Sequence, residues 1–147
     1  MDLRKYDIYV IEDAFVEYFY GREQMFFQLF KECDESETGI KEILIQQVDY
    51  ITKSIPTIYI YSHIVQELGK RTDFFIKERS FLLENKRGTA ELFIGRKKLS
   101  LQSSGYLDTE FIFMDCLKQL DFNFFALDLK NGRFGWLKPL KHQKIAK

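Results

Sequence analysis

The sequence predicts an α/β (α+β) fold in which a mixed, antiparallel-rich sheet is covered by helices, and three observations point to it. A strand pattern rich in β-branched and aromatic residues occupies 4–11, and apolar residues recur at helical spacing between residues 13 and 69. Near the end of the chain, Asn131-Gly132 separates two further strand patterns. The order of elements is β-α-α-α-β-β-β-α-β-β. The 147 residues fit a single domain, 1–147, because domains usually run to about 100–200 residues.

Three helices are predicted to follow the first strand. The helix over 13–32 begins with the acidic pair Glu12-Asp13, which the helix dipole favours, and Gly21 predicts a break or bend within it. After a polar loop at 33–39, a helix over 40–53 places six residues on one face: Ile40, Ile43, Leu44, Gln47, Val48 and Ile51. Pro56 suits the first turn of a third helix, and Gly69 ends it.

The second half of the chain is mostly β-structure. Strands are predicted at 73–84, 89–94 and 97–103, a helix at 107–120, and a final pair of strands at 123–129 and 134–137. Because Asn-Gly accepts positive φ at both central positions, we expect a type I′ turn in the last hairpin. Residues 141–147 predict a frayed basic tail.

The densest aromatic stretch is 15–23, where four rings fall within six residues: Phe15, Tyr18, Phe19 and Tyr20. On one continuous helix, positions 15, 18, 19, 22 and 26 share a face, and positions 16, 20 and 27 lie some 100° away. This surface is wider than the roughly 100° stripe that a single core contact needs. We therefore expect some of these rings to face solvent or a binding partner, and Phe26, Phe27 and Phe30 to hold the core.

Composition excludes several classes of function. Lys plus Arg equals Asp plus Glu at 22 each, which disfavours a general nucleic-acid binder. The basic residues between 86 and 98 are interpreted as a solvated hairpin edge, because no aromatic residues interleave with them as in single-strand binders. No apolar run reaches the length of a membrane span, and no signal peptide is recognised. Cys33 and Cys116 lack metal-ligand spacing, so we expect reduced thiols, no metal and a cytoplasmic protein.

Motifs for catalysis are missing from the sequence. It holds no P-loop, no G-x-G-x-x-G and no H-E-x-x-H, and neither His63 nor His142 nor either cysteine has an activating context. One enzymatic alternative stays open, because the element order resembles that of small N-acetyltransferases. An acyltransferase-like enzyme, or a degenerate relative, would bind coenzyme A at the turn 102–107. That turn has one glycine and lacks the glycine pattern of the N-acetyltransferases. We therefore expect that the protein has no catalytic residue and no cofactor and is not an enzyme.

Four segments together resemble one small family. They are Phe15-x-x-x-Phe19-Tyr20-Gly21-Arg22-Glu23, Phe27-x-Leu29-Phe30, Gln47-Val48-Asp49-Tyr50-Ile51-Thr52-x-x-Ile55-Pro56, and Ala126-Leu127-Asp128-x-x-x-x-Arg133-Phe134-Gly135-Trp136-Leu137-x-Pro139. This pattern is similar to the SirA family, sporulation inhibitors of replication in Bacillus-type bacteria. The similarity extends over nearly the whole chain and is weakest at about 70–105.

The resemblance implies a protein that is made on entry into sporulation and blocks initiation at the origin by docking on the N-terminal domain of DnaA. It implies a monomer that forms a heterodimer with that domain, with no direct contact to nucleic acid or membrane. By this similarity, the residues expected to touch DnaA are Phe15, Phe19, Gln47 and Tyr50. The resemblance implies that relatives can carry tyrosine where Phe19 stands, so Tyr18 or Tyr20 could supply the hydroxyl that Phe19 lacks, and Tyr18 is an additional candidate for contact. Pro139 matches a position linked to inhibition.

Overall fold

The computed structural model describes residues 3–137, and within them the chain forms eight strands and five helices. The strands are β1 Arg4–Ile11, β2 Thr52–Lys53, β3 Phe74–Ile76, β4 Ser80–Asn85, β5 Gly88–Ile94, β6 Leu99–Gly105, β7 Phe124–Asp128 and β8 Arg133–Trp136. The helices are α1 Asp13–Tyr18, α2 Glu23–Glu35, α3 Ile40–Ile51, α4 Thr57–Leu68 and α5 Asp108–Lys118. Pro139, His142 and the predicted basic tail 141–147 lie outside the described residues.

One antiparallel sheet organises the described chain. Its strand order is β3-β4-β5-β6-β1-β7-β8, and the short strand β2 pairs with the end of β1. Strand β1 is antiparallel both to β6, with Tyr6 opposite Leu101, and to β7, with Ile8 opposite Ala126. The predicted α+β class with an antiparallel-rich sheet is therefore confirmed, and its first strand lies inside the sheet.

The two faces of β1 belong to two separate cores, because successive side chains of a strand point to opposite faces. Ile8 and Val10 join the core formed with α4 and α5. Ile11 joins the core formed with α1, α2 and α3. The second core holds Phe26, Phe27 and Phe30 as predicted, all of them buried.

The predicted helix 13–32 is two helices, and the break at Gly21 is confirmed. Gly21 has φ of +80°, a conformation that costs glycine little and a residue with a Cβ more. The second of the two helices runs on to Glu35, into the predicted loop 33–39. The change of direction at Gly21 lets the aromatic residues on its two sides face different surroundings.

Two other predicted boundaries also shift. The predicted strand 73–84 is a hairpin in which β3 and β4 pair, with Phe75 opposite Leu82. The helix predicted over 40–53 ends at Ile51, because Thr52 and Lys53 leave it to pair with Ile11 and Val10. Pairing with the sheet thus overrides helical periodicity over these two residues.

The last hairpin is confirmed, but the predicted type I′ turn is wrong. Asp128 pairs with Arg133, and among the described residues only glycines have positive φ, so Asn131 does not adopt it. The buried Asp128 carboxylate instead accepts hydrogen bonds from the Asn131 backbone N–H at 3.1 Å and from the Arg133 guanidinium at 2.8 Å. Burial raises the pKa of Asp128, but these donors outweigh it and hold the pKa below its usual value.

Helix α5 is fixed to the sheet by the buried carboxylate of Glu110. It accepts hydrogen bonds from Arg4 Nε at 2.7 Å, from the Tyr6 hydroxyl at 2.6 Å and from the Ser103 hydroxyl. The carboxylate is fully buried, whereas the Arg4 side chain is 17% exposed. Burial, followed by this hydrogen bond to Glu110, raises the pKa of Tyr6 to about 12, so the hydroxyl stays a donor.

We expect Glu110→Ala to lower the free energy of unfolding by about 3 kcal/mol, because it leaves Arg4 with no ionic partner at this buried position. Urea denaturation followed by circular dichroism measures the change. The matched control is Asp115→Ala on the same helix, whose exposed carboxylate lies 3.7 Å from Lys118. It should cost less than about 1 kcal/mol. Equal losses for the two variants would show that the Glu110 cluster contributes no special stability.

Candidate partner-binding site

An open groove of about 530 Å³ lies where α1, α2 and α3 meet. It contains the four residues expected at a partner interface, Phe15, Phe19, Gln47 and Tyr50, and also the additional candidate Tyr18. Its other lining residues are Leu29, Ile43, Gln46 and Ile51. Two helices that are separate in the sequence therefore bring the predicted residues to one surface.

Helix α1 supplies the aromatic floor of the groove. Phe19 is half-buried, and its ring centre lies 4.3 Å from that of the fully buried Phe26. Phe15, also half-buried, lies 6.5 Å from Phe19 and meets the Tyr50 ring edge-on at 5.3 Å. Phe19 is thus supported from below by the core, while one side of both phenyl rings remains open to solvent.

Tyr18 stands at the outer edge of this floor. Its side chain is 61% exposed and meets the Phe19 ring edge-on at 4.8 Å. The Arg22 guanidinium lies over the Tyr18 ring at 5.7 Å and donates a hydrogen bond to the Tyr18 carbonyl oxygen at 3.3 Å. These contacts hold the Tyr18 ring against Phe19 at the edge of the groove.

Helix α3 forms the opposite wall of the groove. Ile43, Gln47 and Tyr50 recur at a spacing of three to four residues, and Tyr50 is 74% exposed. The stripe predicted over 40–53 is only partly core, since Val48 and Ile51 are buried but Ile43 is 57% exposed. Gln47 is exposed as well, so its amide needs no buried partner.

The sequence did not predict that Leu29, Gln46 and Ile43 line the groove. A signal for α3 exists in the sequence, because 43, 46, 47 and 50 fall on one helical face that is displaced from the buried pair Val48 and Ile51. No comparable signal exists for Leu29. Its place in the groove depends on how α2 crosses α3.

The groove is uncharged, although Asp, Glu, Lys and Arg make up 30% of the chain. None of the described residues that line it carries a charge. Asp49, next to Tyr50 in sequence, pairs with Lys97 at 3.7 Å instead. The aromatic rings suit an apolar side chain of a partner, and the two glutamine amides can bond to uncharged polar groups around that side chain.

Neither cysteine lies in surroundings that lower the pKa of its thiol. Cys116 is buried, and burial, with a smaller effect of the Glu67 charge, raises the pKa of its thiol to about 12. His63 Nε2 lies 3.0 Å from the Cys116 backbone carbonyl oxygen, so the histidine contacts the main chain of that residue. Burial also raises the pKa of Cys33.

Within residues 3–137 there is no cluster of potential metal ligands, and no helix is long and apolar enough to cross a membrane.

The predicted turn 102–107, proposed for coenzyme A, is wrong over most of its length, since 102–105 belong to β6, and the segment gives that alternative no support. The Tyr106 backbone N–H already donates to the Arg87 carbonyl at 2.8 Å, and the first turn of α5 carries the carboxylates of Asp108 and Glu110. These negative charges disfavour a pyrophosphate at the start of the helix. Strand β1 also bonds to both β6 and β7, the strands on either side of α5 in the sequence, and so leaves no gap between them.

The basic residues of the hairpin do not form one patch. Lys86 and Arg87 lie at one end of β5, and Lys97 and Lys98 lie beyond the other end, roughly 20 Å away for a strand of this length. Arg87 pairs with Asp108 at 3.3 Å, and Lys98 pairs with Asp7 at 3.3 Å. This arrangement agrees with the interpretation of the basic residues as a solvated hairpin edge.

We expect thiol reagents to distinguish the two cysteines. With a pKa of about 12, only about one Cys116 thiol in ten thousand is ionised near pH 8, and the thiolate is the reactive form. In a Cys33→Ala variant, a chromogenic disulfide reagent should therefore find no thiol that reacts within minutes in the folded protein. It should find one equivalent after unfolding in guanidinium. A fast native reaction would contradict a buried, protonated Cys116.

Comparison with known proteins agrees with the motifs. A family model described as "Sporulation inhibitor of replication protein SirA" matches residues 4–141. The chain is 28% identical over 148 residues to the sporulation inhibitor of replication protein SirA of Bacillus subtilis (strain 168), across 97% of this chain and 98% of that protein. The matched range includes β1, the entire groove and the last hairpin. The chain therefore belongs to the family of the sporulation inhibitor of replication protein SirA.

Proposed function

We propose that this protein inhibits the initiation of DNA replication during sporulation by binding the N-terminal domain of DnaA in the cytoplasm. It acts as a monomer that forms a heterodimer with that domain, without catalysis, cofactor or direct contact to the origin. Membership of the SirA family supports the role in sporulation and replication. The observation that carries the assignment of the site is that Phe15, Phe19, Gln47 and Tyr50 line one exposed groove.

The physical basis of the proposed binding is burial of aromatic surface. Tyr18 and Tyr50 leave most of their side chains in water, and Phe15 and Phe19 are half-buried. An apolar side chain of DnaA that enters between α1 and α3 would bury part of the ring surface that these residues leave in water, and aromatic rings carry large apolar areas. The Gln46 and Gln47 amides and the tyrosine hydroxyls then bond to neutral groups around this anchor.

The proposed mechanism of inhibition is occupancy. The N-terminal domain of DnaA is a protein-recruitment module by the family resemblance, so a bound inhibitor denies its surface to other proteins. The groove is largely preformed, because Phe19 rests on Phe26 and Tyr50 rests on Phe15 before any partner binds. Preformed aromatic anchors lose little conformational freedom on binding, which favours affinity.

We expect Tyr50→Ala to weaken binding to the N-terminal domain of DnaA at least about thirtyfold, as truncation of a central aromatic anchor costs about 2 kcal/mol or more. Isothermal titration calorimetry with the purified domain measures the affinity. Because Tyr50 is mostly exposed, the variant should keep the fold. Tyr59→Ala is the matched control, since Tyr59 is an exposed helical tyrosine that does not line the groove.

The control variant Tyr59→Ala should bind the N-terminal domain of DnaA as tightly as the wild-type protein does. If wild-type protein does not bind at tens of micromolar, the proposed function is wrong. If wild type binds and Tyr50→Ala binds equally well, only the assignment of the groove is wrong. Thermal stabilisation by acetyl-coenzyme A in the same preparation would instead favour the acyltransferase-like alternative.

We expect the affinity for DnaA to change less than about threefold between about 50 and 500 mM NaCl, because the groove is uncharged. Direct binding to phosphates would lose orders of magnitude in affinity over this range. Calorimetric titrations across the salt series provide the measurement. A steep loss of affinity would place the contact on the charged surface outside the groove.

A further inference from the structure

We propose that Glu23 and Trp136 are positioning residues for the partner-binding groove, and this inference rests on the proposed function. The Glu23 carboxylate oxygen Oε2 accepts a hydrogen bond from the Trp136 indole Nε1–H at 3.1 Å. The same oxygen accepts the Gly21 backbone N–H at 3.2 Å. One carboxylate thus joins the last strand of the sheet to the turn that ends the α1 segment.

Helix α1 needs such support because it is weak by itself. It has six residues, its N-cap makes no side-chain hydrogen bond, and Val16 is its only buried residue. Isolated helices shorter than about 12–15 residues are marginal in water. The orientation of Phe15 and Phe19 therefore depends on how the two ends of α1 are fixed by the rest of the protein.

The start of α1 is fixed by the sheet and α3. The Glu12 backbone N–H donates to the Ile51 carbonyl at 2.9 Å, and the Asn123 side-chain amide donates to the Asp13 carboxylate at 2.6 Å. The far end has the turn over 19–22, in which the Arg22 backbone N–H donates to the Phe19 carbonyl at 2.7 Å and Gly21 has φ of +80°. The Glu23 carboxylate bonds to this turn and, through Trp136, anchors it to β8.

A chain of ring contacts follows the same route. The Trp136 ring meets Phe125 at 4.9 Å and Phe26 at 6.0 Å, and Phe26 supports Phe19 at 4.3 Å. Trp136 does not line the groove. Trp136 packs against Phe26, which supports the groove floor, and hydrogen-bonds to Glu23, which bonds to the turn. Through these two contacts the last hairpin fixes the positions of Phe15 and Phe19.

Two substitutions separate the hydrogen bond from the ring contacts. Trp136→Phe keeps an aromatic ring against Phe26 but removes the indole N–H, and Glu23→Ala removes the acceptor. Each should weaken binding to the N-terminal domain of DnaA about tenfold, since a hydrogen bond to a charged group is lost. Glu23→Gln retains an acceptor oxygen and should recover most of the affinity.

The double variant, Glu23→Ala with Trp136→Phe, should bind no worse than Glu23→Ala alone, because that substitution already removes the hydrogen bond from Trp136 together with the one from Gly21. The matched control is Glu32→Ala, because Glu32 is an exposed glutamate on α2, the helix that also contains Glu23. This variant should bind as wild type does. Amide hydrogen exchange of the free proteins supplies an independent readout. Exchange should become faster at Phe19 to Arg22 in the variants and stay unchanged in α3 and α4.

Wild-type affinity in both single variants, or fully additive losses in the double variant, would overturn the inference while leaving the proposed function intact. Faster exchange throughout the protein would also overturn it, because that result shows general destabilisation. If wild-type protein does not bind DnaA at all, the proposed function fails separately. The exchange pattern then decides whether Glu23 and Trp136 position α1.

Discussion

The structure depends on the double pairing of β1, which hydrogen-bonds to β6 along one edge and to β7 along the other. Its alternating side chains extend into both cores, with Ile8 in one and Ile11 in the other. The first strand made can therefore complete its pairing only after the last third of the chain is in place. This long-range requirement ties α1, which follows β1 directly, to the geometry of the C-terminal hairpin.

The groove is a consequence of that arrangement. Gly21 breaks a run of aromatic residues into a part that faces the core and a part that faces outward, and Phe26 lies beneath Phe19 at the junction. The surface that results is aromatic and neutral, because rings and glutamine amides line it. Of the charged residues beside it, Asp49 pairs with Lys97, and Arg22 donates a hydrogen bond to the Tyr18 carbonyl oxygen.

Sequence patterns located most of the helices and strands, because local rules were sufficient for them. The β-branched run of β1 and the Asn-Gly signal before β8 are examples. Errors arose where other contacts prevailed over the local pattern. Thr52 and Lys53 leave the helix to pair with β1, a strand that is distant in sequence, so helical periodicity does not reveal the pairing. In the last hairpin the competing contact is local, because the Asp128 carboxylate bonds to Asn131 and Arg133 and selects a turn that the Asn-Gly pair alone does not predict.

For the site, local sequence patterns were enough to predict the residue types, the aromatic surplus around Phe15 and Phe19, the break at Gly21 and, through the motifs, membership of the family. The fold was needed to show that α3 supplies Ile43 and Gln46 to the same groove, and that Glu23 bonds to Trp136, 113 residues away. The physical reason is that helical periodicity specifies which side chains share a face of one helix. Which faces of different helices meet, and what remains exposed between them, depends on how both are packed against a common sheet.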